Sequence, residues 1–316
     1  MKKRCLYCYL NLENNEIDFH PKCSKKMFGV YVPPQLEFSE DDVETLAKQV
    51  IQNQTTVTGV QAKLSLHLSS AEGSNLPKRF TVMGLWDGYI LKTPSTHYPN
   101  IVEVEDLTMH LAHLAKIKVV PHSLIRLQSG NLAYITKRID RIKKSKLHME
   151  DMCQLTERLS EDKYNGSYEQ IAKTIQKFSI NKGLDVINFF ELVLFAYLTG
   201  NADMHLKNFS LLTLPDIGPS LSPAYDLVAT ALVNPSDKEE MALTLNGKKR
   251  KIIKADFEAA FNTLKLDLKQ QENIFKKMQK VFTKWEEMIA ISFLSTEWKE
   301  MYLALIKERL DKLQMI

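Results

Sequence analysis

The stretch Gly200-Asn-Ala-Asp-Met-His-Leu-Lys-Asn-Phe-Ser210 decides how the rest of the chain is read. It carries Asn201, Asp203, His205, Lys207 and Asn208 in close succession. The apolar run Val186 to Leu198 precedes it and a strand-like piece, Phe209 to Leu214, follows. Polar residues packed so densely where a buried helix meets a strand are costly for a plain turn, which points to a site. A capped helix end with polar loop residues is the plainer alternative. Further on, Pro223-Ala-Tyr-Asp-Leu227 brings a second carboxylate, Asp226.

The whole-chain totals frame that reading. With 316 residues the chain is long enough for a sizeable core in one two-lobed domain or two domains. A hydrophobic content of 44% and a charged content of 25% are those of an ordinary globular protein. A net charge of +4 does not argue for nucleic acid by itself. No charge-free apolar run is long enough to span a membrane. Met1-Lys-Lys-Arg4 is basic, but Cys5 to Leu12 is short and interrupted by polar residues, so a secretory signal is not expected and the cytoplasm is. Four cysteines, three of them near the start, make no disulfide scaffold in a chain this long. We find no internal repeat and no low-complexity tract.

The spacing Asp203-x-x-x-x-Asn208 is the one protein kinases use in their catalytic loop, with the Asp for the attacking hydroxyl and the Asn for a metal. Upstream, Thr55-Thr-Val-Thr-Gly-Val-Gln-Ala-Lys63 is a hydroxyl-rich loop with Gly59, set between a helix expected over Glu40 to Asn53 (Ser39 as its N-cap) and the alternating strand Leu64 to Leu68. Such a loop can turn its amides toward a phosphate, and a β-turn is the competing reading. Arg79 to Met83 and Tyr89 to Lys92 read as two strands joined at Trp86-Asp87-Gly88. Lys92 ends the second; a lysine at the end of a buried strand must find an anion or reach water. The helix Val102 to Leu114 offers Glu105, with Glu103 as the alternative. Val119 to Leu127 and Asn131 to Lys137 form a further hairpin turned at Ser129-Gly130.

The pattern N-x-D-x-H-x-K-N-F-S followed by P-A-Y-D-L resembles the HipA family of bacterial serine/threonine kinases, toxins of toxin–antitoxin systems with a distant phosphatidylinositol-kinase-like core. The resemblance runs from about Thr55 to the C-terminus. It implies an α+β, two-lobed protein-kinase/PI-kinase-like fold with a β-rich N-lobe over 31–141 and a mostly helical catalytic C-lobe over 142–316. It implies ATP and Mg²⁺ as cofactors. Thr58, Gly59, Val60, Gln61 and Lys63 match the phosphate loop; Lys92 and Glu105 match the ATP-binding lysine and its glutamate. Lys137, Ile139 and Asp140 match the linker that flanks adenine and ribose, although lysine and isoleucine stand where relatives often carry an acid and an aromatic. Asp203 takes the substrate hydroxyl, Asn208 and Asp226 hold Mg²⁺, and His205 and Lys207 share their loop. Thr56 matches an autophosphorylated loop serine, and Thr58 a second hydroxyl of the HipT relatives.

The resemblance also implies partners. Full HipA kinases carry an extra N-terminal β-rich subdomain, whereas only 54 residues precede Thr55 here. That is similar to the shortened HipT branch, in which a small HipS-like antitoxin supplies the missing piece beside a HipB-like helix-turn-helix DNA-binding protein. The implied substrate is an aminoacyl-tRNA synthetase, and DNA is met only through the antitoxin. Two other functions stay open: a catalytically silent nucleotide-binding interaction module, and a small-molecule or lipid kinase.

The first 30 residues read separately. Cys5-x-x-Cys8 and His20-x-x-Cys23 have the spacing of a small zinc knuckle, and a module so short has too little core to fold without a metal. Reduced cysteines in a packed hairpin, as a metal-free relic, are the alternative. Near the other end, Met241 to Leu245 alternates like a strand before the turn signal Asn246-Gly247 and four basic residues. Trp285 and Trp298 are expected to pack among amphipathic helices running from Ala255 onward.

Overall fold

Period-two alternation at Leu64-Ser-Leu-His-Leu68 buries Leu64 and Leu66 on one face, and a strand forms over Lys63–Ser69 (β1). The computed structural model describes residues 3–51, 61, 63–69, 78–82, 88–142 and 145–316. Thr56, Thr58, Gly59 and Val60 of the hydroxyl-rich loop lie outside the described residues. The chain divides into two compact units, Met1–Asp106 with Val120–Lys144 and Ile291–Phe293, and Leu107–Val119 with Ser145–Ala290 and Leu294–Ile316.

The first unit is built on an antiparallel sheet of β1, β2 (Arg79–Thr81), β3 (Tyr89–Lys92), β4 (His122–Arg126) and β5 (Leu132–Lys137), in the order β2-β1-β3-β5-β4. The expected hairpin of Arg79–Met83 with Tyr89–Lys92 does not form. β1 lies between β2 and β3, pairing Leu68 with Phe80 on one side and Leu64 with Leu91 on the other. That register sets Leu66 opposite Tyr89, so the apolar residues of β1 and β3 share the buried face. The hairpin of β4 and β5 forms as its turn chemistry predicts, with Gly130 at φ +91 donating to the Leu127 carbonyl. Before the sheet come two helices, α1 (Pro21–Phe28) and α2 (Glu40–Ile51). Proline opens α1 and Gly29, at φ +77, closes it. Ser39 accepts from the Asp42 amide ahead of α2, as expected of an N-cap. Phe28, Phe80 and Tyr89 pack edge to face, tying α1 to β2 and β3.

The helix α3 (Ile101–Leu114) gives residues 101–106 to the first unit and 107–114 to the second. The second unit is mostly helical. Its centre is α6 (Lys182–Leu198), whose residues 192–198 are all buried, as a helix apolar all round must be. Around it run α4 (Met152–Leu155), α5 (Tyr168–Phe178), α7 (Thr230–Val233), α8 (Lys254–Thr263), α9 (Leu268–Ala290) and α10 (Thr296–Lys312). A small antiparallel sheet sets β6 (Met149–Asp151), β7 (Ser210–Leu214) and β8 (Gly218–Leu221) in the order β8-β7-β6. Trp285 is fully buried, edge-on to Phe195, and its indole donates to the Leu111 carbonyl at 2.9 Å. Trp298 is half-buried. Met241 to Leu245 is buried but makes no strand: one bridge, Leu245 to Lys248, closes the turn at Asn246 and Gly247, both in the left-handed region. The turn signal is sound, while the alternation before it reflects burial of irregular backbone that bonds to Gly166 and Lys249 instead. Among the described residues no helix is long and apolar enough to cross a membrane.

Candidate active site

In the second unit, α6 delivers the chain into residues 200–210 through a tightly specified corner. Gly200 sits at φ +70, and a Cβ there would come within 2.6 Å of Leu305 Cδ2 and 3.1 Å of Ala231 Cβ. Only glycine meets both demands. Its carbonyl accepts from the Ala231 amide at 2.9 Å, and the Thr230 hydroxyl accepts from the Ala202 amide at 2.8 Å. The loop is thereby fastened to the start of α7, a few residues beyond Asp226. Within the loop, the buried Asn201 side chain accepts from the Asp203 amide at 3.2 Å.

Asp203 is half-buried, and its Oδ1 accepts a 2.6 Å hydrogen bond from the Tyr164 hydroxyl. Burial first, and then this carboxylate, push the Tyr164 phenol well above its ordinary value, so it remains a donor. The Tyr164 ring stands edge-on to His205 at 5.0 Å. His205 is buried, and burial pushes its imidazole below the ordinary value against the opposing pull of Asp203 and Asp226. Among the described residues its Nδ1 has no hydrogen-bond partner. Lys207 donates to Asp151 at 2.7 Å, and Asp151 also caps α4 through the Gln154 amide.

Asn208 and Asp226 are tied together one residue away from each. The Tyr225 hydroxyl donates to the Lys207 carbonyl at 3.0 Å and lies 2.5 Å from the Ser210 hydroxyl. Asp226 holds φ +60, a left-handed conformation that costs a non-glycine residue about 1–2 kcal/mol and that the surrounding packing must impose. Asn208 is buried. An amide oxygen and a carboxylate are hard oxygen donors, the ligand chemistry that suits Mg²⁺.

In the first unit, Lys92 ends β3 at 5% exposure and donates to Glu105 Oε1 at 2.5 Å; Glu105 is fully buried on α3. Glu105 rather than Glu103 therefore faces the lysine. Lys63 stands opposite Lys92 in the ladder, and the Gln61 amide donates to the Thr93 carbonyl at 2.6 Å, which brings the end of the hydroxyl-rich loop to the end of β3. Lys137 is exposed opposite Tyr89, and Ile139 is half-buried. Asp140, 9% exposed, accepts two 3.0 Å hydrogen bonds from Arg138 and a further one from Arg141. The two guanidinium groups outweigh burial and hold its carboxyl below the usual range. At the chain's start, the ligand atoms of Cys5, Cys8, His20 and Cys23 lie within 4.8 Å of one another.

The two groups of candidate residues thus fall in different units: Gln61, Lys63, Lys92, Glu105, Lys137, Ile139 and Asp140 in the first, Asp203, His205, Lys207, Asn208 and Asp226 in the second. Sequence reasoning missed Tyr164, which stands in a Lys-Tyr-Asn-Gly segment with only a loop's signature. Asp151 was missed likewise: besides capping α4, its carboxylate pairs with Lys207, a contact between distant positions that no spacing rule anticipates.

The HipA-like C-terminal domain family matches residues 55–285. A Haemophilus influenzae protein named "Putative kinase" is 30% identical over 213 residues, 63% of this chain and 59% of its own. "Putative kinase Y4dM" of Sinorhizobium fredii is 32% identical over 187 residues, 55% of this chain and 45% of its own. The chain spans about half the length of the curated relatives it matches. Among solved structures, the Shewanella oneidensis HipA of a complex with HipB and operator DNA matches with a TM-score of 0.68 at 19% identity, over 90% of this chain and 74% of that one. The Helicobacter pylori proinflammatory kinase CtkA matches with a TM-score of 0.52 at 16% identity, over 71% of this chain and 87% of that one. These likenesses give the fold, a mixed α+β kinase-like architecture of the HipA type.

Proposed function

The chain belongs to the HipA-like C-terminal domain family, and from that premise we propose that it is an ATP- and Mg²⁺-dependent serine/threonine protein kinase. The observation that carries the reading is the buried Lys92–Glu105 pair. A lysine this enclosed needs its carboxylate, and the pairing aims a fixed cation where a nucleotide phosphate would be received. Phosphoryl transfer asks mainly for positioning and charge neutralisation. In this reading Asp203 accepts a hydrogen bond from the substrate hydroxyl and takes its proton late. Phosphoryl transfer asks little base strength of this group, so orienting the hydroxyl is the larger part of its work. Tyr164 holds that carboxylate by one oxygen and leaves the other for the substrate. Asn208 and Asp226 would hold Mg²⁺, which supplies neutralisation of phosphate charge when bound. Lys63 and the loop at Thr58–Gln61 receive the phosphates, and Lys137, Ile139 and Asp140 border the nucleoside.

The same reading makes Thr56 or Thr58 the autophosphorylated residue. It places the kinase in a toxin–antitoxin system, with an aminoacyl-tRNA synthetase as substrate and HipS-like and HipB-like antitoxins as partners. The Shewanella HipA, solved with HipB and operator DNA, is the relative whose partners support that assignment. The test is incubation of the purified protein with labelled ATP and Mg²⁺, followed by mapping of the label. Phosphate on Thr56 or Thr58, lost in Asp203→Asn while the melting temperature is kept, is the expected result. Transfer retained in Asp203→Asn overturns the role of Asp203. Nucleotide binding with no transfer to any protein of a lysate would make the chain a silent binding module. Label moving only into lipid or metabolite would make it a small-molecule kinase.

A further inference from the structure

We propose that Cys5, Cys8, His20 and Cys23 bind one structural zinc ion, and that this ion holds in place the segment of α3 that carries Glu105. The donor set is three thiols and an imidazole, with no disulfide among the cysteines. Tetrahedral zinc with Zn–S of about 2.3 Å and Zn–N of about 2.0–2.1 Å requires ligand edges of roughly 3.5–3.8 Å. His20 Nδ1 already stands 3.4 Å from Cys8 Sγ and 3.7 Å from Cys23 Sγ. With all four atoms inside 4.8 Å, the cluster has the size of a single ion rather than of a two-iron centre.

The surroundings are those of a built site. His20 Nε2 lies 3.0 Å from the Asn11 carbonyl, which can only accept, so that nitrogen carries the proton and Nδ1 turns its lone pair to the thiols. The Glu16 carboxylate is 3.7 Å from the same nitrogen. The Cys5–Cys8 turn is closed by the Tyr9 amide on the Cys5 carbonyl and the Cys5 amide on the Leu10 carbonyl, at 2.9 and 2.8 Å. Cys23 comes from the first turn of α1, which Pro21 opens. A segment this short would otherwise lack the core to fix two chain crossings at once.

Tyr9, beside Cys8, links the cluster to the candidate site. Its ring is buried, edge-on to Phe293 at 5.0 Å, and its hydroxyl donates to Asp106 at 2.7 Å. Asp106 follows Glu105 on α3 and also meets His122 of β4 at 2.6 Å. Leu6, beside Cys5, accepts from the Leu124 amide and the Ser123 hydroxyl of β4. Release of the ion frees the Tyr9 turn, and with it the hydrogen bond that Tyr9 makes to Asp106. The importance of Glu105 rests on the kinase reading; the metal site does not.

The experiment uses the full chain purified without added metal or chelator. Elemental analysis should give about one zinc per chain. Cobalt substitution should give the thiolate-to-cobalt charge-transfer bands and the tetrahedral visible bands of a three-sulfur site. Chelation in the presence of a thiol-reactive agent should raise amide exchange in peptides covering 101–106 and 122–126, and a Tyr9→Phe variant should keep its zinc while already showing that raised exchange at 101–106. A Cys5–Cys8 disulfide, or protein that takes up no zinc even when titrated with it, would overturn the site. Full zinc with exchange at 101–106 unchanged by chelation would overturn its hold on α3. Metal content and exchange are read without phosphoryl transfer, so a chain that proved inactive would leave both results standing.

Discussion

Lys92→Met and Glu105→Leu, made singly and together, test whether the buried ion pair is formed as the fold requires. The side chains are 6% and 0% exposed, and their nitrogen and oxygen are 2.5 Å apart. Removing one member of such a pair leaves a charge with little water and without the counter-charge it is packed against, a loss of about 3–5 kcal/mol. Replacing both by apolar groups of similar volume is usually close to neutral, because the desolvation of two charges disappears with their attraction. The double variant is therefore expected within about 1 kcal/mol of the parent, which implies a coupling of several kcal/mol, far beyond the ~0.5 kcal/mol scatter of independent sites. Denaturant unfolding followed by circular dichroism measures all four proteins. A double variant as unstable as the sum of the two singles would refute the pairing. The double variant has a second use: well folded but without its cation, it should not transfer phosphate, which separates loss of function from loss of fold.

Two further expectations follow from the loop at Gly200–Asn208. Thr230→Val removes the acceptor of the Ala202 amide, a buried donor left without its partner, and should cost about 1–3 kcal/mol; Thr230→Ser should cost much less, and equal losses in the two would show that the hydroxyl does not hold the loop. His205 has a folded-state value below the unfolded value of about 6.5, so the unfolded chain binds the extra proton first. The stability it contributes is therefore complete above about pH 6.5 and declines as pH falls from there through the folded-state value. His205→Gln should flatten that acid limb, and parallel stability curves for parent and variant between neutral pH and pH ~5 would remove the burial argument.

The amino-acid sequence makes legible the parts of the fold that local rules govern. A mostly apolar run marks α6, Ser129-Gly130 marks the β4–β5 hairpin, and Ser39 marks the N-cap of α2. The polar density after α6 marks a candidate site as a place, because polar groups at a buried junction need a reason. Partnerships across the fold are not legible in this way. β1 inserts between β2 and β3, and a turn signal at Asp87-Gly88 carries no information about which strand comes to lie alongside. Glu103 and Glu105 both precede the apolar face of α3, and only the direction of the helix relative to β3 assigns Glu105 to Lys92. Tyr164 reaches Asp203, and Asp151 reaches Lys207, through folding of the second unit that no periodicity encodes.

The close approach of Leu305 to Gly200 reaches beyond the corner it shapes. Leu305 belongs to α10, the last helix, which contributes no candidate catalytic residue. Its side chain fills the space that any larger residue at 200 would need, so the backbone of the Asp203 loop leans on the C-terminal helix. A saturation screen scored by phosphate transfer would accordingly register sensitive positions on α10 around Leu305, and inhibitors wedged beneath that helix would act on the loop without competing with nucleotide.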